Sequence, residues 1–399
     1  MTKLLLHNCI LVLPASLLEN GYVYVEDNRI AGIGQGKPEM QDDTVKTIDL
    51  KGRYVAPGFI DMHVHGGGGY DFMDATVEAF LGVSETHVRY GTTAMCPTTL
   101  TADSENLYAV LDTYATALPQ NKRGAAWLGL HLEGPYLAMN QRGAQDPKYI
   151  RNPDVKEYSS ILDYSPHITR WSAAPELPGA LAFGDYLQSR GIIASLAHTD
   201  ALFEEVVEGY DHGYRLATHF YSAMSTIVRK NAKRYAGVIE AGYYLDGMDV
   251  EIIADGIHVP APLLKLIYKI KGPTRIALVT DAMRAAAMPE GPSVLGRVQD
   301  GLPVLVEGGV AKLPDRSAFA GSVATCNQLV RNYRDLAGIP LQEVVSMLTG
   351  VPARILGVQD RKGSLETGKD ADLVVFDQDI EVYMTIVEGE IRYDRLTTT

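Results

Sequence analysis

The chain has 399 residues, 46% of them hydrophobic and 21% charged, which suits one large domain or a large and a small one and excludes disordered or collagen-like sequence. A formal charge of −13 argues against nucleic acid as a partner, because a surface that tracks phosphates needs a basic excess. No run approaches the roughly 20 unbroken apolar residues of a membrane span, the N-terminus meets His7 and Asn8 too early for a secretory core, and three scattered cysteines make no disulfide framework; the expectation is a cytoplasmic protein without membrane contact.

In chain order, the first fifty residues read as short strands at Lys3–Leu13, Gly21–Glu26, Arg29–Gly34 and Thr44–Leu50, divided by turn residues at 19–21 and 26–28. The middle alternates apolar runs with amphipathic stretches. The runs are Val55–Val64, Thr92–Pro97, Trp127–Leu132, Trp171–Ala174, Ile192–Ala197, Leu216–Phe220, Val250–Ala254 and Ile276–Val279. The helical candidates are Ala75–Tyr90, Ser104–Ala117, Ala180–Ser189, Leu202–Asp211 and Pro260–Ile270. A hairpin-like Gly-Pro-rich insertion, Pro292–Pro314, precedes two further helices at Thr325–Leu336 and Leu341–Leu356. The C-terminal segment returns to strands at Ala371–Asp377, Ile380–Met384 and Ile386–Tyr393, with a turn at 388–390.

Parallel strands covered on both faces read as continuous apolar runs. Eight of them with intervening helices predict an α/β fold, a (β/α)8 TIM-like barrel over residues 55–358. An open doubly wound sheet is the plainer alternative. Neither terminal segment buries a sheet face alone, so residues 1–54 and 359–399 are expected to form one small β-sandwich domain.

The predicted strand ends carry the chemistry. They read Asp61-Met62-His63-Val64-His65, His131-Leu132-Glu133, Ala197-His198, Thr218-His219, Ala254-Asp255-Gly256-Ile257-His258 and Thr280-Asp281. Side chains at the C-terminal ends of barrel strands converge on one face. His63 and His65, two apart on a strand, point the same way and can reach one ion. Imidazoles mixed with carboxylates suit Zn²⁺ or Fe²⁺. Glu133 can ligate or bridge metals, His198 and His219 can serve a second ion, and Asp281 can bind metal or take a proton. His7, His87, His167 and His212 fit no strand end and read as ordinary structural residues. The run Gly66–Gly69 lacks the residues of a phosphate loop and reads as a tight turn beside the site.

Pro57–Gly66 resembles the opening signature of the amidohydrolase superfamily. Together with 131–135, 197–199, 217–219, 253–258 and 278–282 it resembles, collinearly and over essentially the whole chain, the family of N-acetylglucosamine-6-phosphate deacetylases. Glu133, where many superfamily members carry a carbamylated lysine, is the more specific feature. The resemblance implies hydrolysis of an acetamide on a phosphorylated amino sugar, one or two divalent ions (Zn or Fe) per chain, and a homodimer. It implies that Asp281 shuttles the proton, that His258 contacts the sugar, and that Ser222 and Ala223 lie against sugar or phosphate. It also implies a cation from the segment 229–234, Arg229 or Lys230, holding phosphate across the dimer interface.

Three departures from the family pattern fall near the expected mouth. Ala144-Gln145 stands where the family has a histidine that polarises the substrate carbonyl, Ser222 replaces an asparagine, and Met283-Arg284-Ala285 follows Asp281. They keep other substrates open, such as N-acetylgalactosamine 6-phosphate, another acylamino sugar or a cyclic amide. A non-catalytic binding barrel is the alternative of a different class.

Overall fold

The computed structural model describes residues 3–40 and 42–396; residues 1–2, 41 and 397–399 of the expected terminal unit lie outside them. The barrel strands are, in order, Phe59–Val64, Thr92–Thr99, Leu130–Glu133, Ile168–Ala173, Ile193–Leu196, Leu216–Ala217, Asp249–Ile252 and Ile276–Leu278. Each pairs in parallel with the next. The eighth returns to the first through a parallel bridge between Val64 and Ala282, and the Asp281 amide donates to the His63 carbonyl at 2.9 Å. That seam closes the cylinder and excludes the open sheet.

Helices cover the outside at Val77–Val88, Ser104–Ala117, Val155–Tyr164, Ala180–Ser189, Phe203–Asp211, Val238–Tyr244 and Ala261–Lys271. Asp103 caps the second, its carboxylate accepting from the Asn106 amide, and Asp154 caps the third in the same way. Helices Val155–Tyr164 and Val238–Tyr244 were not anticipated. The first is amphipathic but contributes only Tyr158, Ile161 and Leu162 to the core, and the second is seven residues, two turns, too short to display a helical period.

Several boundaries differ from expectation. The run Val55–Val64 is two strands: Tyr54–Pro57 belongs to the terminal sheet and only Phe59–Val64 to the barrel. Pro57 has no amide proton to extend a ladder, and at Gly58 a Cβ would meet the Thr93 side chain at 2.1 Å. Leu341–Leu356 is likewise two helices, Leu341–Met347 and Gly350–Ile355. Pro352 removes an amide donor and clashes with a helical carbonyl four residues earlier, so the chain restarts at Gly350 with proline in the first turn. The C-terminal strands are Leu373–Phe376, Val382–Val387 and Glu390–Asp394, so Ile380–Met384 and Ile386–Tyr393 are displaced while the turn at 388–389 stands.

Strands from both termini share one sheet, with Tyr54–Pro57 between Lys3–Val12 and Leu373–Phe376. Lys3–Val12 pairs in parallel with Lys46–Asp49 along one half and with Tyr54–Pro57 along the other. The sheet therefore splits and folds over a core containing Leu6, Val23, Val25, Leu373, Val375 and Ile386. The insertion is a three-stranded antiparallel unit, Gly291–Leu295, Leu302–Glu307 and Val310–Lys312. It packs Leu295, Val304 and Val306 on Met283 beside the barrel mouth. No helix among the described residues is long and apolar enough to cross a membrane.

Candidate metal centre

The strand ends converge as barrel geometry requires. Glu133 ends the third strand, and His198 and His219 stand just past the fifth and sixth. Its Oε1 lies 3.0 Å from Nε2 of His219 and 3.4 Å from Nε2 of His198, and the two imidazole nitrogens are 3.2 Å apart. On the other side, Glu133 Oε2 is 3.4 Å from Nε2 of His65. His63 and His65 bring their Nε2 atoms within 3.1 Å of each other. Two triads result, His63–His65–Glu133 and Glu133–His198–His219, all buried, and Glu133 belongs to both. Asp281 Oδ1 is 3.1 Å from His65 Nε2 and 3.4 Å from His63 Nε2.

The backbone aims these groups. His198, His219 and Asp281 have φ of 46°, 34° and 48°, left-handed values that residues with a Cβ adopt at a cost of about 1–3 kcal/mol each. The chain leaves each strand abruptly there, and the side chain turns inward over the barrel mouth.

The hydrogen bonds fix which nitrogens face the centre. Nδ1 of His198 donates to the Gln141 carbonyl at 2.8 Å, and Nδ1 of His219 to the Ser222 carbonyl at 3.1 Å. A carbonyl only accepts, so each Nδ1 carries hydrogen and each Nε2 is left to a proton or a cation. The charges agree. Burial opposes ionisation of Glu133, yet His63, His198, His219 and His65 hold its carboxyl well below the usual carboxylate range. Burial also opposes a charge on His65, but Asp281 and Glu133 raise it to about 10. Two buried carboxylates facing four imidazoles call for positive charge, and the donor set suits a borderline divalent ion such as zinc or iron.

Beneath His63 lies a polar layer that sequence reading passed over. Arg170, fully buried on the fourth strand, forms a two-armed ion pair with Glu251 of the seventh, and also bonds Ser195 and Thr218. Burial opposes ionisation of Glu251, but Arg170 prevails and lowers its pKa, and its Oε2 lies 3.7 Å from Nδ1 of His63. The one acid inside the apolar run Val250–Ala254 was the available signal. Arg170 fell just outside the run begun at Trp171.

A cavity of about 700 Å³ opens over the triads. It is lined by Ala144, Gln145, Ser222, Ala223 and His258, each expected near substrate, and by Phe319, which follows the insertion and bridges back to its Lys312. His258 Nδ1 lies 2.6 Å from Asp255 Oδ2 and its ring 4.6 Å from that of Phe319. Phe319 was missed because nothing in its local sequence ties the segment after the insertion to a particular strand end.

Arg229 and Lys230 do not reach this cavity. They sit on an exposed hairpin, Val228–Lys230 paired with Lys233–Tyr235, and among the described residues Arg142 is the one lysine or arginine lining the cavity. Met283 and Arg284, expected at the mouth, are buried behind it. Arg284 donates to the Gly69 and Gly296 carbonyls and to Asp74, each at 2.7 Å. Its charge ties the turn after the first strand to the insertion.

Comparison with known proteins agrees with this geometry. The amidohydrolase family model matches residues 54–392. The N-acetylglucosamine-6-phosphate deacetylase of Bacillus subtilis (strain 168) is 33% identical over 396 residues, 98% of this chain and 97% of that protein. The N-acetylgalactosamine-6-phosphate deacetylase of Escherichia coli O157:H7 is 33% identical over 349 residues, 87% of this chain and 90% of its own. Among solved structures, a mutant N-acetyl-D-glucosamine-6-phosphate deacetylase of Mycobacterium smegmatis in complex with N-acetyl-D-glucosamine-6-phosphate superposes with a TM-score of 0.90 at 31% identity, covering 98% of this chain and 100% of the other.

Proposed function

The chain belongs to the amidohydrolase family, and from that premise we propose that it is a metal-dependent deacetylase that converts N-acetylglucosamine 6-phosphate to glucosamine 6-phosphate and acetate. The single observation that carries this reading is the pair of buried triads sharing Glu133, with Asp281 beside both.

His63, His65, Glu133, His198 and His219 would hold one or two divalent ions, zinc or iron. Bound metal supplies Lewis acidity, lowering the pKa of water and polarising an amide carbonyl. Asp281 does the rest of the proton work. Burial opposes its ionisation, but His63 and His65 keep its pKa below the usual carboxylate value, so it is ready to accept a proton from attacking water. It then returns that proton to the departing amine, which is too poor a leaving group without it.

His258, held by Asp255 and packed on Phe319, presents Nε2 for a sugar hydroxyl. Ser222 and Ala223 border the sugar or its phosphate. In this reading the hairpin cations Arg229 and Lys230 serve the cavity of a second copy, in a cytoplasmic homodimer. The family resemblance and their distance from their own cavity support that.

The similarity to an N-acetylgalactosamine-6-phosphate deacetylase makes the galacto epimer the second substrate to weigh. Acetate release from N-acetylglucosamine 6-phosphate, its galacto epimer and the unphosphorylated sugar decides among them. The gluco phosphate should turn over fastest and loss of phosphate should cost most. A galacto preference would replace the substrate, and no acetate from any of them would defeat the reading.

A further inference from the structure

We propose that Gln145 is a positioning residue that holds Oε2 of Glu133 toward His65 and so leaves Oε1 to the His198–His219 pair, rather than a donor to the substrate carbonyl. Gln145 is 5% exposed. Its Oε1 accepts from both the amide and the hydroxyl of Thr101, each at 2.9 Å, and its Nε2 donates to Glu133 Oε2 at 2.7 Å. The two ends enforce one amide orientation. A backbone N–H only donates, so the atom facing Thr101 is the oxygen; an ionised carboxylate only accepts, so the atom facing Glu133 is the nitrogen.

The consequence falls on Glu133. The terminal torsion of a glutamate is broad and roughly two-fold, so an unrestrained carboxylate could turn both oxygens to one triad. Gln145 pins Oε2 on the His65 side, which leaves Oε1 facing His198 and His219, with His63 Nε2 3.5 Å from that same oxygen. The amide also stays neutral. An imidazole in its place could take up a proton and compete with a cation for the same negative charge, whereas glutamine adds a donor without a charge.

This inference rests on the metal-binding part of the proposed function and not on the substrate. The test is equilibrium dialysis of the full-length protein against chelator-buffered zinc, with bound metal counted per chain. Wild type should bind two ions. Gln145→Met, which keeps side-chain bulk and removes the bond to Glu133, should weaken the more weakly held ion by about 10–100-fold, the usual cost of losing an outer-shell partner.

Thr101→Val removes one of the two bonds that orient the amide. It should shift the same ion in the same direction by a smaller factor, and it decides the matter alone if Gln145→Met does not fold. Unchanged zinc binding in the folded variants, with or without a loss of turnover, would overturn the positioning role. A wild type that binds only one ion would overturn it as well. If wild type binds two ions and the variants behave as expected, but no acetate is released from any phosphosugar, the positioning role stands and the substrate reading falls.

Discussion

Asp281 Oδ1 lies 3.1 Å from Nε2 of His65, across the seam where the eighth strand closes on the first. The same residue closes the barrel through its amide and faces the candidate ligands through its carboxylate. Asp281→Asn keeps the shape and the seam but cannot carry a proton. Turnover should fall by about 10²–10⁴-fold, the range for removing a general acid–base group, with metal content per chain unchanged. Near-normal turnover in this variant would remove Asp281 from the proton path.

His63 and His65 complete one triad, and His198 and His219 the other. Changing His63 and His65 together to alanine should lower bound metal by one ion per chain, and the loss of turnover should exceed the about 10–100-fold typical of an outer-shell partner. His219→Ala should remove the other ion. Elemental analysis of the purified variants checks both. A wild type holding one ion, unaffected by the first change, would reduce the centre to the triad of Glu133, His198 and His219.

The exposed hairpin at 228–235 bears Arg229, Lys230, Lys233 and Arg234. If its cations bind phosphate of a sugar held by a second copy, Arg229→Ala or Lys230→Ala should raise KM for the phosphosugar. One charge-assisted bond corresponds to a rise of about 10–100-fold. Turnover of the unphosphorylated sugar should not change, and light scattering should report a dimer. A monomer, or equal effects on both sugars, would return these cations to the role of a solvated face.

Most of the fold and of the site was legible because both rest on strong local signals. Apolar runs capped by His, Asp or Glu mark barrel strands, and the five candidate ligands His63, His65, Glu133, His198 and His219 come from four of those ends. What escaped depends on neighbours distant in sequence. Arg170 reads as an isolated charge until Glu251, on another strand, stands opposite it. Gln145, which lines the cavity as expected, shows its further partners only when Thr101 meets its carbonyl and Glu133 its amide. Arg284 reads as a mouth cation until Gly69, Asp74 and Gly296 surround it. Each case concerns a polar side chain whose partners are supplied by other strands and loops.

Lys271 offers a test of the barrel shell, away from the site. Burial lowers its pKa from 10.5 to about 8, while its ammonium donates to the carbonyls of Gly242 and Leu245, both at 2.9 Å. Between about 8 and 10.5 the unfolded chain holds a proton that the folded chain has released, so stability should rise with pH across that window. Below it both states are charged and the slope vanishes. Urea midpoints of wild type and Lys271→Met, compared from pH 7 to 10.5, should diverge upward for wild type only within the window. A constant difference throughout would mean that Lys271 titrates alike in both states.

The central claim is that divalent cations gathered by Glu133, His198, His219, His63 and His65 drive acetamide hydrolysis. Metal-free protein titrated with zinc or ferrous iron, with acetate release from N-acetylglucosamine 6-phosphate followed at each step, tests it most directly. The rate should start near zero and climb with occupancy until the triads are filled. Full turnover before any metal is added, or none after saturation, would contradict it.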